Sequence, residues 1–203
     1  MNYATLQEKV ANQFVTTELV PFIPTAIELA EAEFNRRVRH REMLLRSYFT
    51  LSGQYVPLPT DFLEARSVYI TAAGYTERLE FLSIEQMQEK KQTAWDADRP
   101  IYYSIIGAEI ELLPEPSDTF EMDMAFYQRI PALSDLNPTN WLIDQHPDAY
   151  FYGALMQCAP YLGRDRRIDT WSSLYETVLE SIHLSNERAE YSGGVLKMRA
   201  KAL

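Results

Sequence analysis

One cysteine in 203 residues, Cys158, leaves this chain unable to form an internal disulfide, so packing and hydrogen bonding must order it. That usage fits assembly in a reducing cytoplasm. The neighbours Leu155, Ala159 and Leu162 predict a small buried apolar residue there rather than a reactive thiol. No apolar run is long enough to span a bilayer. The first ten residues carry Glu8 and no hydrophobic stretch, so no signal peptide is expected. Glycine is scarce, and none of the seven falls in a Walker loop, a dinucleotide turn or a Gly-x-Ser-x-Gly elbow. The three histidines, His40, His146 and His183, lie far apart without ligand-like spacing, so neither a metal nor a cofactor is expected. His146, directly before Pro147, reads as part of a helix-entry turn.

Positive charge is also short. Nineteen Lys and Arg stand against 29 Asp and Glu, a net charge of -10. Gripping a phosphate backbone needs the reverse balance. An acidic surface suits a wall past which a polyanion must slide without sticking.

What is present is core and surface for contacts. A hydrophobic fraction of 46% suits an ordered globular chain, and thirteen Tyr favour the large amphipathic surfaces common at interfaces. Thr5 and Glu8 have capping-box spacing before Leu6, Val10 and Phe14. Pro21 and Pro24 break that helix and start another. Its stripe Ile27, Ala30, Phe34, Val38 and Leu45 predicts one long helix ending near Arg46. The other faces hold Glu28, Glu31, Glu33, Arg36, Arg37, Arg39, Arg41 and Glu42, an arrangement that reads as solvated and charged.

The period then changes. Tyr48–Leu51, Gln54–Pro57, Arg66–Thr71 and Arg78–Phe81 read as short strands, with Leu58–Leu63 as an extended link and turns at Ser52-Gly53 and Gly74. Ser83 caps a short helix to Lys91. Residues 102–106 and 109–113 flank Gly107-Ala108 as a tight hairpin. Phe120, Met122, Met124 and Phe126 alternate with polar residues as a half-buried strand. Tyr150 to Leu162 is apolar on nearly every side, as in an enclosed helix that Gly163 ends. Asp165 caps a last helix carrying Ile168, Trp171, Tyr175, Val178 and Ile182. Beyond Ser192-Gly193-Gly194 the tail has Lys197, Arg199 and Lys201 and no acid.

The fold expected is α+β: long N-terminal helices, a small antiparallel β middle part, a C-terminal helix pair and a flexible C-terminal arm. Residues 1–47 are expected to pack with 141–191 as one helical domain. Residues 48–130 would be a β-rich insertion, 131–140 a hinge loop and 192–203 the arm.

Several blocks, in order, carry a resemblance. They are Ala30-Glu31-Ala32-Glu33-Phe34-Asn35-Arg36 with Arg41-Glu42-Met43, then Tyr55-Val56-Pro57-Leu58-Pro59 with Asp61-Phe62-Leu63-Glu64. Arg99-Pro100 with Tyr102-Tyr103 follows. Next come Tyr127-Gln128-Arg129-Ile130-Pro131-Ala132-Leu133-Ser134 and Asn137-Pro138-Thr139-Asn140-Trp141-Leu142. The last are Tyr152-Gly153-Ala154-Leu155, Ala159-Pro160-Tyr161-Leu162 and Tyr191-Ser192-Gly193-Gly194. Together they resemble the head-to-tail adaptor, or connector, family of short-tailed bacteriophages.

The resemblance implies a non-enzymatic virion protein at the head-tail junction. It would form a homo-oligomeric ring of twelve copies under the portal protein, with a tail or nozzle protein on the other side. Genome DNA would pass through without sequence-specific binding, and no membrane is involved. It further implies that an arm of Gly193, Gly194, Val195, Leu196, Lys197, Met198, Arg199, Lys201 and Leu203 meets the portal. Glu33, Arg36, Arg37 and Arg41 are candidates for subunit contacts, with intrahelical pairing at four-residue spacing as the alternative. Two other functions compete. A peptidoglycan hydrolase would need two carboxylates of unequal pKa across a cleft, whereas Glu28, Glu31 and Glu33 crowd one helix. A DNA-binding packaging factor would rely on the run from Arg36 to Arg41, which wraps a helix and cannot all face one duplex.

Overall fold

The computed structural model describes residues 1–14, 17–51, 53–72, 75–92, 99–162 and 165–191. The arm residues assigned to the portal lie outside that set, as do Ser52, Gly74 and Gly163. The fold is α+β, and the chain divides into two compact units. One is Met1–Glu42 with Ile130–Leu203, and the other is Met43–Arg129.

In the first unit α1 (Tyr3–Ala11) is capped by Asn2, whose side chain accepts from the Thr5 N–H at 2.8 Å. Thr5 is thus inside the helix, not its cap. A 3-10 segment, Thr17–Phe22, leads into α2 (Ile23–Arg37), with Pro24 in its first turn where a missing N–H costs nothing. After the β unit come α4 (Trp141–Gln145), α5 (Pro147–Cys158) and α6 (Arg167–Tyr191). The helix α5 packs on α1, α2 and α6, which explains why it is apolar all round. Ala30, Phe34, Tyr150, Ala154, Leu155 and Tyr175 are buried among them. Gly153 lets the neighbouring side chains come close to the α5 backbone. A Cβ there would lie 3.0 Å from the Phe34 ring and 3.3 Å from the Ala30 Cβ.

The second unit holds β1 (Leu44–Leu51), β2 (Tyr55–Pro57), β3 (Phe62–Ala72), β4 (Tyr75–Arg78), β5 (Glu80–Phe81), α3 (Ile84–Lys91), β6 (Tyr102–Ile106), β7 (Glu109–Leu113) and β8 (Phe120–Gln128). One four-stranded antiparallel sheet has the order β1-β8-β3-β4. A second, β2-β7-β6-β5, is mixed, because β5 runs parallel to β6. Val68, Ile70, Met122, Met124 and Phe126 of the first share an apolar cluster with Val56, Tyr103, Ile110 and Leu112 of the second. The alternation of β8 fits this, its even-numbered apolar residues facing that cluster. Gly107 turns the β6–β7 hairpin at φ 62°, a conformation that glycine adopts without a Cβ clash. Ser83 and Gln86 form a reciprocal capping box on α3.

Two expectations are corrected here. The long N-terminal helices are absent: α1 has nine residues, α2 stops at Arg37, and strands begin at Leu44. The stop is made by contacts and not by a breaker residue. Val38 is extended (φ -95°, ψ 130°), and the Arg39 guanidinium donates to the carbonyls of Asn35 (2.9 Å) and Val38 (2.8 Å). Those bonds satisfy acceptors that the end of a helix leaves free. Asn186 on α6 then accepts the Arg41 N–H at 2.9 Å. Leu45, read as the end of the helical stripe, sits on β1 opposite Phe126. The middle part is likewise more than a small antiparallel sheet: among the described residues it has eight strands in two sheets, with β5 parallel to β6.

Candidate assembly surfaces

The segment 131–140 is a well-anchored loop of the helical unit. At its entry the Ile130 N–H donates to Asn35 Oδ1 at 2.9 Å, and Asn35 Nδ2 donates to the Glu31 carbonyl at 3.0 Å. The buried Glu31 carboxylate accepts from the Leu133 N–H (2.8 Å) and the Tyr150 hydroxyl (3.0 Å) through one oxygen, Oε1. At the exit Asn140 Nδ2 donates to the Pro131 carbonyl and to the Tyr150 hydroxyl, both at 2.7 Å. Asn140 Oδ1 meanwhile caps α4 through the Ile143 N–H. The Tyr3 N–H closes the far side on the Pro138 carbonyl at 2.8 Å.

The tip is ordered from within. The Ser134 N–H donates to the Asn137 carbonyl, the Asn137 N–H to Ser134 Oγ, and Asn137 Nδ2 to the Ala132 carbonyl. Leu136 at this tip is 98% exposed. A leucine displayed on a braced loop loses little entropy on docking, the condition under which an apolar side chain anchors an interface.

Burial pushes the Glu31 carboxyl above its usual range, against the lowering effect of its bonds from Leu133 and Tyr150. Burial also pushes the Tyr150 phenol up, with the Glu31 charge adding to it. Glu31 is buried, at 5% exposure, and not part of the solvated acidic face expected of this helix. It lies on the apolar stripe, four residues after Ile27 and three before Phe34, which was the available signal.

Of the four residues proposed for subunit contacts, three are engaged within the unit, Arg41 reaching Glu42 at 4.0 Å and Asn186 through its N–H. The Arg37 guanidinium donates to Glu33 Oε1 (2.9 Å) and with both terminal nitrogens to Glu176 on α6. The Glu176 bond leads in raising the Arg37 pKa and lowers that of Glu176. Glu33 also accepts from Gln157 Nε2 at 3.1 Å. Arg36 and Arg41 are exposed. A groove of about 350 Å³ between the end of α2 and α6 includes Val38, Leu179, Ile182 and His183.

Histidines distant in sequence come together. The His40 ring stacks on Trp141 with centroids 4.9 Å apart, and His146 stands edge-on to it at 6.5 Å. Burial lowers both pKa values, and for His40 the Arg41 charge adds to this. No group of three His, Cys, Asp or Glu among the described residues is placed to hold a metal ion. No helix among them is long and apolar enough to cross a membrane.

Further apolar surface lies on each unit. On the helical one, Phe22 and the exposed Tyr161 have centroids 4.4 Å apart. On the β unit, Tyr48, Tyr55 and Phe81 are exposed.

A family model described as SU10 adaptor protein matches residues 1–199. No curated protein matches the chain.

Proposed function

The chain belongs to the SU10 adaptor protein family, a phage head-to-tail adaptor family, and from that premise we propose that it is a structural virion protein forming a ring under the portal. In this reading twelve copies join the DNA-filled capsid to the tail or nozzle. Genome DNA passes through without sequence-specific binding, and the protein is made in the host cytoplasm. It makes and breaks no covalent bonds. Its contribution is binding energy.

The observation that carries the reading is the family match over nearly the whole chain. Three features support it. Leu136 is offered on a braced loop, aromatic side chains are exposed on both units, and the net charge of -10 disfavours adhesion to DNA. A ring is closed by a contact between two different faces of each copy. We place Glu33, Arg36, Arg37 and Arg41 on one such face, the Arg37–Glu176 pair holding its shape. The arm from Gly193 to Leu203 is assigned to the portal, its cations toward acidic or carbonyl-rich surface and its apolar residues in small pockets.

Negative-stain imaging of the purified protein alone and with portal rings tests this. Rings of the protein seated on the portal are expected. Monomers in both samples would rule the assignment out. A variant ending at Ser192 that binds portal as well as the full chain refutes the arm assignment alone.

A further inference from the structure

Among the described residues the two sheets of the β unit end in four edge strands. Three are blunt, β2, β4 and β5 having three, four and two residues. The fourth is β1, with eight residues. It pairs along its whole length with β8 on one side, and on the other has no backbone partner among the described residues. Folded proteins protect such edges by shortness, proline or charge. β1 has no proline and a single charged residue, Arg46.

The edge is also unfinished in its side chains. On the core face Leu51 is fully buried, Phe49 is half-buried and Leu45 is exposed. On the outer face Tyr48 is 70% exposed, and β8 sets Asp123 and Glu121 opposite Tyr48 and Thr50. Arg46 already pairs with Asp123 at 3.4 Å, which leaves Glu121 as the acid on offer. The edge therefore suits an extended strand that is apolar on one face and cationic on the other.

The chain carries such a segment beyond the described residues. Leu196-Lys197-Met198-Arg199-Ala200-Lys201-Ala202-Leu203 matches β1 in length and has neither glycine nor proline. Its apolar residues at 196, 198, 200 and 202 alternate strictly with cations at 197, 199 and 201. We propose that, in protein not yet bound to a portal, residues 196–203 of a neighbouring copy pair along β1 as a fifth strand of its sheet. Main-chain bonds supply the affinity. Leu196 and Met198 extend the face begun by Leu45 and Phe49, and Lys197 and Arg199 lie over Tyr48 and toward Glu121. One arm then has two exclusive sites, and its capture at the vertex uncovers β1. The pairing goes beyond the ring reading and requires only that copies meet, whereas its release at the vertex rests on the arm assignment proposed above.

Amide hydrogen exchange over residues 44–51 tests it in three proteins: the full chain, a chain ending at Ser192, and a K197E/R199E/K201E variant. At concentrations where copies associate, alternate β1 amides of the full chain should exchange at least about tenfold more slowly than in the other two. Equal exchange in all three overturns the proposal. A Leu45→Cys chain mixed with a Met198→Cys or Ala200→Cys chain should oxidise to a covalent dimer. Cys158 does not interfere, being buried with its thiol pushed up to about 11. Absence of the cross-link at both positions, or a link forming only within one chain when both cysteines are placed on it, refutes donation between copies. Portal binding is measured separately, so loss of either result leaves the other standing.

Discussion

Replacing Glu31 by Ala removes the acceptor shared by the Leu133 N–H and the Tyr150 hydroxyl, both within the helical unit. Each buried donor left without a partner costs about 1–3 kcal/mol, so the variant should lose about 2–6 kcal/mol. For a chain of this size that lowers Tm by roughly 4–24 °C. Glu31→Gln keeps Oε1 and both bonds while removing a buried charge, and should stay within about 1 kcal/mol of the parent at neutral pH. The two also differ in pH dependence. The folded carboxyl titrates above its ordinary 4.5, so the native state binds the proton more tightly than the unfolded chain. The stability this group contributes is therefore greatest below pH 4.5 and declines as pH rises through the folded value. Glu31→Gln abolishes that decline. Urea unfolding of a Trp95→Phe background measures all of this, because the remaining indoles, Trp141 and Trp171, both lie in the helical unit. An Ala variant within about 0.5 kcal/mol of the parent would refute the anchoring role, since even a single orphaned donor costs more.

His40 and His146 should act in the opposite sense. Their folded pKa values are depressed below 6.5, so stability is complete above pH 6.5 and falls as pH drops through the folded values. Combining His40→Asn with His146→Asn should flatten the slope below that point, read from urea midpoints between pH 5 and 7.5. An unchanged slope would remove the pair from the explanation. Gly153→Val places a branched side chain against Phe34 and Ala30, where even a Cβ is tight. A loss of about 1–3 kcal/mol is expected, measured by thermal unfolding. A neutral outcome would mean that α2 and α5 separate at little cost.

Features with local causes were legible in the sequence. The β6–β7 hairpin needs only Gly107 between two apolar runs, the α3 cap only Ser83 and Gln86, and β8 only its own alternation. The segment 131–140 also stood out, but not what holds it. Leu133 and Tyr150 lie 102 and 119 residues from Glu31, so no window of sequence contains the site. The end of α2 was hidden for the same reason. Arg36 to Arg41 contains no glycine or proline, and the residue receiving the Arg41 N–H is Asn186, 145 positions away. Helical spacing from Ile27 to Leu45 was present, but strand pairing with β8 overrode it.

The brace under Leu136 carries one more implication. Among the described residues the bonds that shape the loop come from its neighbours and its backbone, and the leucine side chain contributes none. The display and the thing displayed are therefore separable. Swapping the tip residue is expected to change the surface offered there while leaving the folding of the chain untouched, a change within reach of a single codon.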